Sequence, residues 1–400
     1  MQLVERHTVR EGSKDFKILD NLCFKSKNLY NSTLYAIRQE FIKNGSYLSY
    51  TKVQRIFQED DQKDYRGLPA KISQQIMRLV DKNFISFFNS LKDWKINPWK
   101  YKGRPKIPRY LDPKKGRFVT VFTDQAISKV WLRKGLIVLS GLSELKISTN
   151  VSNVDQVRIV PRVGRYIIEA VYTVPDPLPK SDNGRYAAID LGVNNLATLT
   201  TNLEGYQPLV VDGRKVKSIN HYYNKLKSKY QSLSPWNSTK RLRRIEAKRE
   251  NKINDYFHKS SRFIVNHLVS KGINSLIIGK NGGWKQDTMM GKVGNQNFVQ
   301  IPFNKFISML EYKCKLEGIS VHLITEEYTS KCSFLDNEEI GKHSTYMGKR
   351  IHRGLFKSSS GCLINADVNG SLNILRKCKP RAFDAKGVQG VVVHPHILCV

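Results

Sequence analysis

Apolar residues recur at three- and four-residue steps through the early part of the chain and at two-residue steps after it. The first eleven residues alternate polar and apolar positions and predict a β-strand. Leu22, Tyr30, Leu34, Ile37 and Phe41 then fall on one face of a helix. Ile72, Ile76, Leu79, Val80, Phe84, Phe87, Phe88 and Leu91 fall on one face of another, with Pro69 near its start. Residues 13–97 therefore read as a helical lobe. The stretch from Trp94 to Tyr110 holds three prolines and a glycine, which forbid a continuing helix. From Arg117 to Val174 the period shortens, with β-type runs at Phe118–Phe122, Leu136–Leu139, Val157–Val160 and Tyr166–Val171. Short strands at even spacing predict a small antiparallel barrel. The run Pro175-Asp-Pro-Leu-Pro179 closes it as a linker.

The second half has a different rhythm. Ala187–Asp190, Leu196–Thr200 and Gln207–Val211 predict three consecutive strands, and a basic helical stretch from Val216 to Lys271 follows, broken near Ser234-Pro235. Ser275–Ile278 reads as a buried strand, Phe303–Leu316 as an amphipathic helix, Ile319–Ile324 as another strand and Asn365 as the start of a final helix. This order is that of a ribonuclease H-like α/β layer. The expected fold is thus mixed α and β and multidomain. After Lys379 the chain alternates Gly, Pro and Val with little periodicity and is expected to be a flexible tail, 379–400.

Charge narrows the partner. The 400 residues carry 67 Lys and Arg against 34 Asp and Glu, a formal charge of +33. Such an excess points to a polyanion. No apolar run approaches the ~18 residues of a membrane span, and the first residues are no signal peptide. Nucleic acid is left as the expected partner and membrane is not. The six cysteines include no CxxC pair, so free thiols in a reducing cytoplasm are expected.

Three acidic positions stand at the edges of predicted elements. Asp190 ends an apolar strand before Leu191-Gly192, Glu326-Glu327 follows the strand Ile319–Ile324, and Asp367 lies just past Asn365, a helix N-cap candidate. Carboxylates from distant segments at strand ends and a helix start supply the hard oxygen ligands of a two-metal phosphodiester-cleaving site. Adjacent residues on an extended strand face opposite sides, so one member of the Glu pair points inward. Glu326 is favoured and Glu327 is the alternative. A turn-stabilising Asp and a dipole-favoured carboxylate are the plain readings of Asp190 and Asp367 taken singly. Between Lys240 and Lys252 seven residues are basic (Lys240, Arg241, Arg243, Arg244, Lys248, Arg249, Lys252) against Glu246 and Glu250, more than intrahelical pairs can neutralise. Lys102 and Arg104, among the aromatics of 94–110, and Lys349, Arg350 and Arg353 are further candidates for nucleic-acid contact. The aromatics of 94–110 could stack bases or pack beneath the barrel.

Asp190-Leu-Gly, Gly279-Lys-Asn-Gly-Gly-Trp-Lys-Gln286, Asn295–Pro302, Tyr328-Thr-Ser-Lys331, Gly348–Gly354 and Asn365-Ala-Asp-Val-Asn-Gly370 together resemble TnpB, the RNA-guided nucleases of insertion sequences related to type V CRISPR effectors. The resemblance is strong over 184–378 and weaker before it. It implies a wedge-type barrel (1–12 and 98–182) interrupted by a helical recognition lobe (13–97), a RuvC nuclease (183–327 and 362–378) and a target-nucleic-acid-binding insertion (328–361). It also implies a guide RNA, target double-stranded DNA, and two Mg²⁺ ions (or Mn²⁺) on Asp190, Glu326 and Asp367 in a monomer of the prokaryotic cytoplasm and nucleoid. Two departures stand out. Most members carry the middle acid after the strand that here ends at Gly279, so this chain is similar to the branch with a relocated glutamate. The insertion keeps only Cys332 and Cys362 of a four-cysteine ribbon, with His343 and His352 at no zinc-motif spacing, so structural zinc is not expected. The missing acid also motivates a nuclease-inactive, RNA-guided DNA-binding repressor as a rival. A guide-independent transposase or resolvase is another.

Overall fold

The computed structural model describes residues 1–233, 239–282, 291–383 and 394–398. The chain divides into two compact units, Met1–Pro175 and Asp176–Val400. The expected helix break at Ser234-Pro235 and the motif residues 283–286 lie outside the described residues.

In the first unit, β1 (Gln2–Arg10) alternates exposed and half-buried residues and pairs antiparallel with β6 (Arg165–Thr173). Then come α1 (Lys14–Asn44), α2 (Tyr50–Glu59), α3 (Lys63–Arg66) and α4 (Ala70–Ile96). Ser13 caps α1 by accepting from the Asp15 amide, and Pro69 stands at the entry of α4. Of the expected stripe, Ile72, Ile76, Val80 and Phe84 are buried, and Leu79, Phe87, Phe88 and Leu91 are half-buried. The remaining elements are β2 (Thr120–Thr123), α5 (Lys129–Leu132), β3 (Leu136–Leu139), β4 (Leu142–Ser148) and β5 (Gln156–Arg162).

The barrel expected here does not close. The strands form an open four-stranded sheet, β1-β6-β5-β2, and a separate hairpin, β3-β4. Closure would need β1 to pair with β2, but β2 is four residues long and runs straight into a 3₁₀ turn, Asp124–Ala126. Leu19, Leu34 and Phe84 of the helices share one core with Ile159 and Ile168 of the sheet. Arg117 donates to both oxygens of Asp20 on α1, at 2.8 and 2.7 Å, and Lys27 and Asn31 of α1 bond the backbone of Pro113 and Leu111. The proline-rich segment is thereby fixed along that helix. Trp99 stays exposed, as do Lys102 and Arg104, whereas Tyr101 donates to Asp93 at 2.8 Å.

The second unit is built on a six-stranded sheet of order β11-β10-β7-β8-β9-β15. Here β7 is Tyr186–Asp190, β8 Asn195–Thr201 and β9 Leu209–Asp212, an antiparallel meander. The helices α6 (Arg214–Ser232) and α7 (Lys240–Ser270) follow, then β10 (Ser275–Gly279), α8 (Gly291–Gln300), α9 (Phe303–Leu316) and β11 (Ser320–Ile324). β10 runs parallel to β7, and β11 parallel to β10. A three-stranded antiparallel sheet, β12 (Lys349–His352), β13 (Leu355–Lys357) and β14 (Leu363–Asn365), leads into α10 (Ala366–Cys378). Alternate residues of β7 and β10 serve two cores. Ala187, Ile189, Leu276 and Ile278 face Phe257 of α7 and Phe306 of α9, and Ala188 and Ile277 face Ile374 and Leu375 of α10. The tail departs from expectation at its end: β15 (His396–Leu398) pairs parallel with β9 at the sheet edge. No helix among the described residues is long and apolar enough to cross a membrane.

Candidate active site

Strand register brings three chain segments to one end of the large sheet. Ile278 lies beside Ile189 on β7, and Gly279 beside Ile324 on β11. The carboxyl ends of three parallel strands therefore stand side by side, the place where open α/β sheets collect functional groups. Asp190 is the last residue of β7, and Glu326 lies two residues beyond β11. α10 crosses the same end, seated by small residues: Ser371 donates to the Ala188 carbonyl at 3.0 Å and shares a 2.8 Å hydrogen bond with Thr200. A Cβ on Gly370 would stand 2.8 Å from an oxygen of Asp190, so only glycine lets the helix come this close.

Asp367 is held at the start of α10. Asn365 caps the helix, accepting from the Asp367 and Val368 amides at 3.0 and 3.2 Å, and the Asn195 amide donates to Asp367 Oδ2 at 2.6 Å. Arg350 on β12 reaches the other oxygen at 3.6 Å. Asn195 was not singled out by sequence, although it sits in the same motif as Asp190. Burial, then the charges of Glu326 and Asp367, push the Asp190 carboxyl well above the usual carboxylate range, while Arg350 acts in the opposite direction.

Gly279 ends β10 without a side chain, and its bareness makes room for Glu326. A Cβ there would lie 2.6 Å from Glu326 Cγ and Oε1 and from Ile374 Cδ1. Asn281 accepts the Glu326 amide at 2.8 Å and fixes the turn. Burial raises the Glu326 carboxyl from the ordinary 4.5 to about 7, and its Oε1 has no hydrogen-bond partner among the described residues. Glu327, by contrast, is exposed. Gly279→Ala should displace Glu326 or α10 and destabilise the fold by about 1–3 kcal/mol. Gly282→Ala, with open space at the added methyl, should do neither. Thermal unfolding of the two variants makes the comparison, and equal midpoints would contradict the close packing.

The raised Glu326 value has a stability consequence. Between 4.5 and about 7 the folded protein keeps a proton that the unfolded chain has lost, so stability falls as pH rises through that window. Glu326→Gln removes the loss. Its melting midpoint at pH 8 without divalent ions should exceed the parent's by several degrees, with the gap closing near pH 4. A gap that does not depend on pH would contradict this burial.

The donor chemistry fits a divalent cation: carboxylates from a strand end, a turn and a helix start, one with an unpartnered buried oxygen. They are electrostatic neighbours rather than a formed ligand shell. Among the described residues no three His, Cys, Asp or Glu side chains are grouped closely enough to hold an ion as they stand.

The insertion is fastened to α10 by side-chain hydrogen bonds that sequence reading missed. Asn369 accepts from the Phe334 amide and donates to the Cys332 carbonyl, both at 2.9 Å, and Asn373 donates to the carbonyls of Thr329 and Cys332. Arg376 bonds Asn337, Asn373 and the Glu338 carbonyl. The positions 369, 373 and 376 follow helical spacing, which was the available signal. Cys332 is buried and Cys362 exposed. Of the basic candidates, Lys240, Arg241, Arg244, Lys248, Lys252, Lys349, Arg350 and Arg353 are exposed. Arg243 is half-buried. Arg249 is turned inward, donating to Asn220 at 2.7 Å and to the Gln300 carbonyl at 2.9 Å.

Two known family models match the sequence of this unit and its approach. The Probable transposase model OrfB_IS605 matches residues 169–285, and the Cas12f1-like, TNB domain model matches 303–374. The chain is 23% identical over 216 residues to the TnpB-like protein ORF457 of the Acidianus two-tailed virus. That match covers 50% of this chain and 43% of the relative, so the chain spans less than half the length of the curated relative it matches. Solved structures align more loosely. A Cas12f1–sgRNA–target DNA complex aligns at 15% identity, covering 93% of this chain and 98% of that one, with TM-score 0.37. The mini-RNA-guided endonuclease CRISPR-Cas_phi3 aligns at 9% identity, 99% and 94% coverage and TM-score 0.47. The two family models match in this order along one chain, which over these segments is similar to TnpB-like and Cas12f1-like proteins.

Proposed function

We propose that the protein is an RNA-guided, divalent-metal-dependent DNA endonuclease of a transposable element, with a RuvC-type site formed by Asp190, Glu326 and Asp367. The observation that carries this reading is the placement of Asp190 at the end of β7 beneath Gly370, with Glu326 and Asp367 as its charged neighbours. Like charges buried together are costly, and an ion that neutralises them turns the cost into affinity. Bound divalent cations supply an activated water and charge for the leaving oxygen. The chain's own contributions are to present hard oxygens from three elements, to orient Asp367 through Asn195, and to offer Arg350 beside the site to a phosphate. A guide RNA would read the target by base pairing, while the protein reads a short flanking motif. Supporting that partnership are the charge of +33 and the basic face of α7.

One observation favours the nuclease-inactive, RNA-guided repressor: Asp367 is already engaged by Asn195 and Arg350. The unpartnered Glu326 oxygen and the close seating of Gly370 on Asp190 favour the nuclease. The test is to express the protein with its native flanking DNA, sequence the RNA that copurifies, and incubate the complex with a matching plasmid in Mg²⁺. A defined RNA with Mg²⁺-dependent cutting is expected. A defined RNA without cutting selects the repressor, and cutting without RNA selects a guide-independent recombinase. RNA affinity should fall steeply with salt, and Lys248→Ala should lower the slope of log K against log salt by about 1. An unchanged slope would remove Lys248 from the interface.

A further inference from the structure

The helix pair α6 and α7 encloses a groove of about 1000 Å³ within the second unit. Three tyrosines of α6, Tyr222, Tyr223 and Tyr230, line one wall, and Arg241, Arg244 and Lys248 of α7 line the other. Helical periodicity explains the arrangement, since 222, 223 and 230 lie within one stripe of α6 and 241, 244 and 248 within one stripe of α7. The charge is one-sided. α6 has six Lys or Arg and no acidic residue in its 19 positions.

A face that only tracked a duplex would need cations alone. This groove also holds aromatic rings, and Tyr222 keeps 61% of its surface exposed. Arg241 lies over the Tyr230 ring at 4.4 Å and Arg249 over the Tyr223 ring at 5.1 Å, so guanidinium groups already steady two of the rings. Rings interleaved with cations are the composition that binds unpaired nucleotides, bases on the π-faces and phosphates on the basic side chains. A volume of about 1000 Å³ gives room for about two to three nucleotides. The tyrosine hydroxyls suit a ribose 2′-hydroxyl.

We propose that this groove seats unpaired nucleotides of the RNA partner, with Tyr222 and Tyr230 as stacking platforms and Arg244 and Lys248 gripping the adjoining phosphates. The inference rests on the RNA-binding reading above and adds a site remote in sequence from the candidate nuclease residues. The full-length protein is photo-crosslinked to a 4-thiouridine-substituted single-stranded RNA decamer, and the crosslinked peptides are mapped by mass spectrometry. Crosslinks are expected within Tyr222–Tyr230. The Tyr222→Ala, Tyr230→Ala double variant should bind the decamer about tenfold more weakly with an unchanged salt slope, while binding of a blunt RNA duplex of equal length changes less than twofold. Should the double variant fail to fold, exposed Tyr222→Ala alone should still weaken decamer binding severalfold. Crosslinks only outside the groove, unaltered affinity, or an equal loss for the duplex would overturn the proposal. Preferential crosslinking of a thymidine decamer would overturn its assignment to RNA. The probe needs neither guide nor cleavage, so an uncut plasmid would count against the nuclease reading and leave this one standing.

Discussion

Replacing Asp190 by alanine should lower DNA cleavage on the order of a thousandfold or more while RNA and DNA binding stay near the parent values. Asp190 ends β7 beneath Gly370, among carboxylates, and far along the chain from the basic residues offered to nucleic acid. Its removal deletes an oxygen proposed to face the metal without opening a phosphate-binding surface. The variant should also melt no lower than the parent at neutral pH, because a half-buried carboxyl held among like charges is lost. Asp367→Ala should match it in cleavage but give back some stability, since a first-turn carboxylate favoured by the helix dipole and its Asn195 hydrogen bond are lost. Full cutting by either variant would remove that residue from the site. Plasmid cleavage and RNA-retention assays on the same preparations separate the effects.

The second large effect is a split between neighbours. Glu326→Gln should be as inactive as Asp190→Ala, whereas Glu327→Gln should cut within about threefold of the parent, as surface substitutions away from a site usually do. The two side chains differ in setting rather than chemistry. Glu326 fills the space left by Gly279, with one oxygen lacking a partner among the described residues, and Glu327 is exposed. Two active variants would move the third ligand elsewhere. An inactive Glu327→Gln beside an active Glu326→Gln would reverse the assignment.

Much of the second unit was legible because its signals are local. Apolar runs ending in Asp190 and Gly279, and a helix opened by Asn365, mark elements by period and cap alone. Strand order then follows from connection length, since the meander joins neighbouring strands through short turns and the parallel strands each need a helical crossover. Alternation says only that one of Glu326 and Glu327 points inward and leaves open which, and both residues lie beyond the end of β11. What failed was non-local. Barrel closure depends on whether β1 and β2 meet, and nothing in either segment states that. The strand at His396–Leu398 is three residues long, and its pairing with β9 is a tertiary event that its composition does not announce. Asn195 carries no periodic signal, and Asn369, Asn373 and Arg376 show helical spacing that reads equally as a solvated face, yet they set the position of Asp367 and of the insertion. In the sequence Gly279 is only a strand end that lacks an acid. That its bareness is what admits Glu326 emerges only from distances.

The most direct measurement is the location of a divalent ion. A crystal of the protein equilibrated with Mn²⁺, recorded at the manganese absorption edge, should give anomalous density between the carboxylates of Asp190, Glu326 and Asp367, and Asp190→Ala should abolish it. Manganese bound elsewhere, or absent from this pocket at saturating concentration in an RNA- and DNA-loaded complex, would contradict the account.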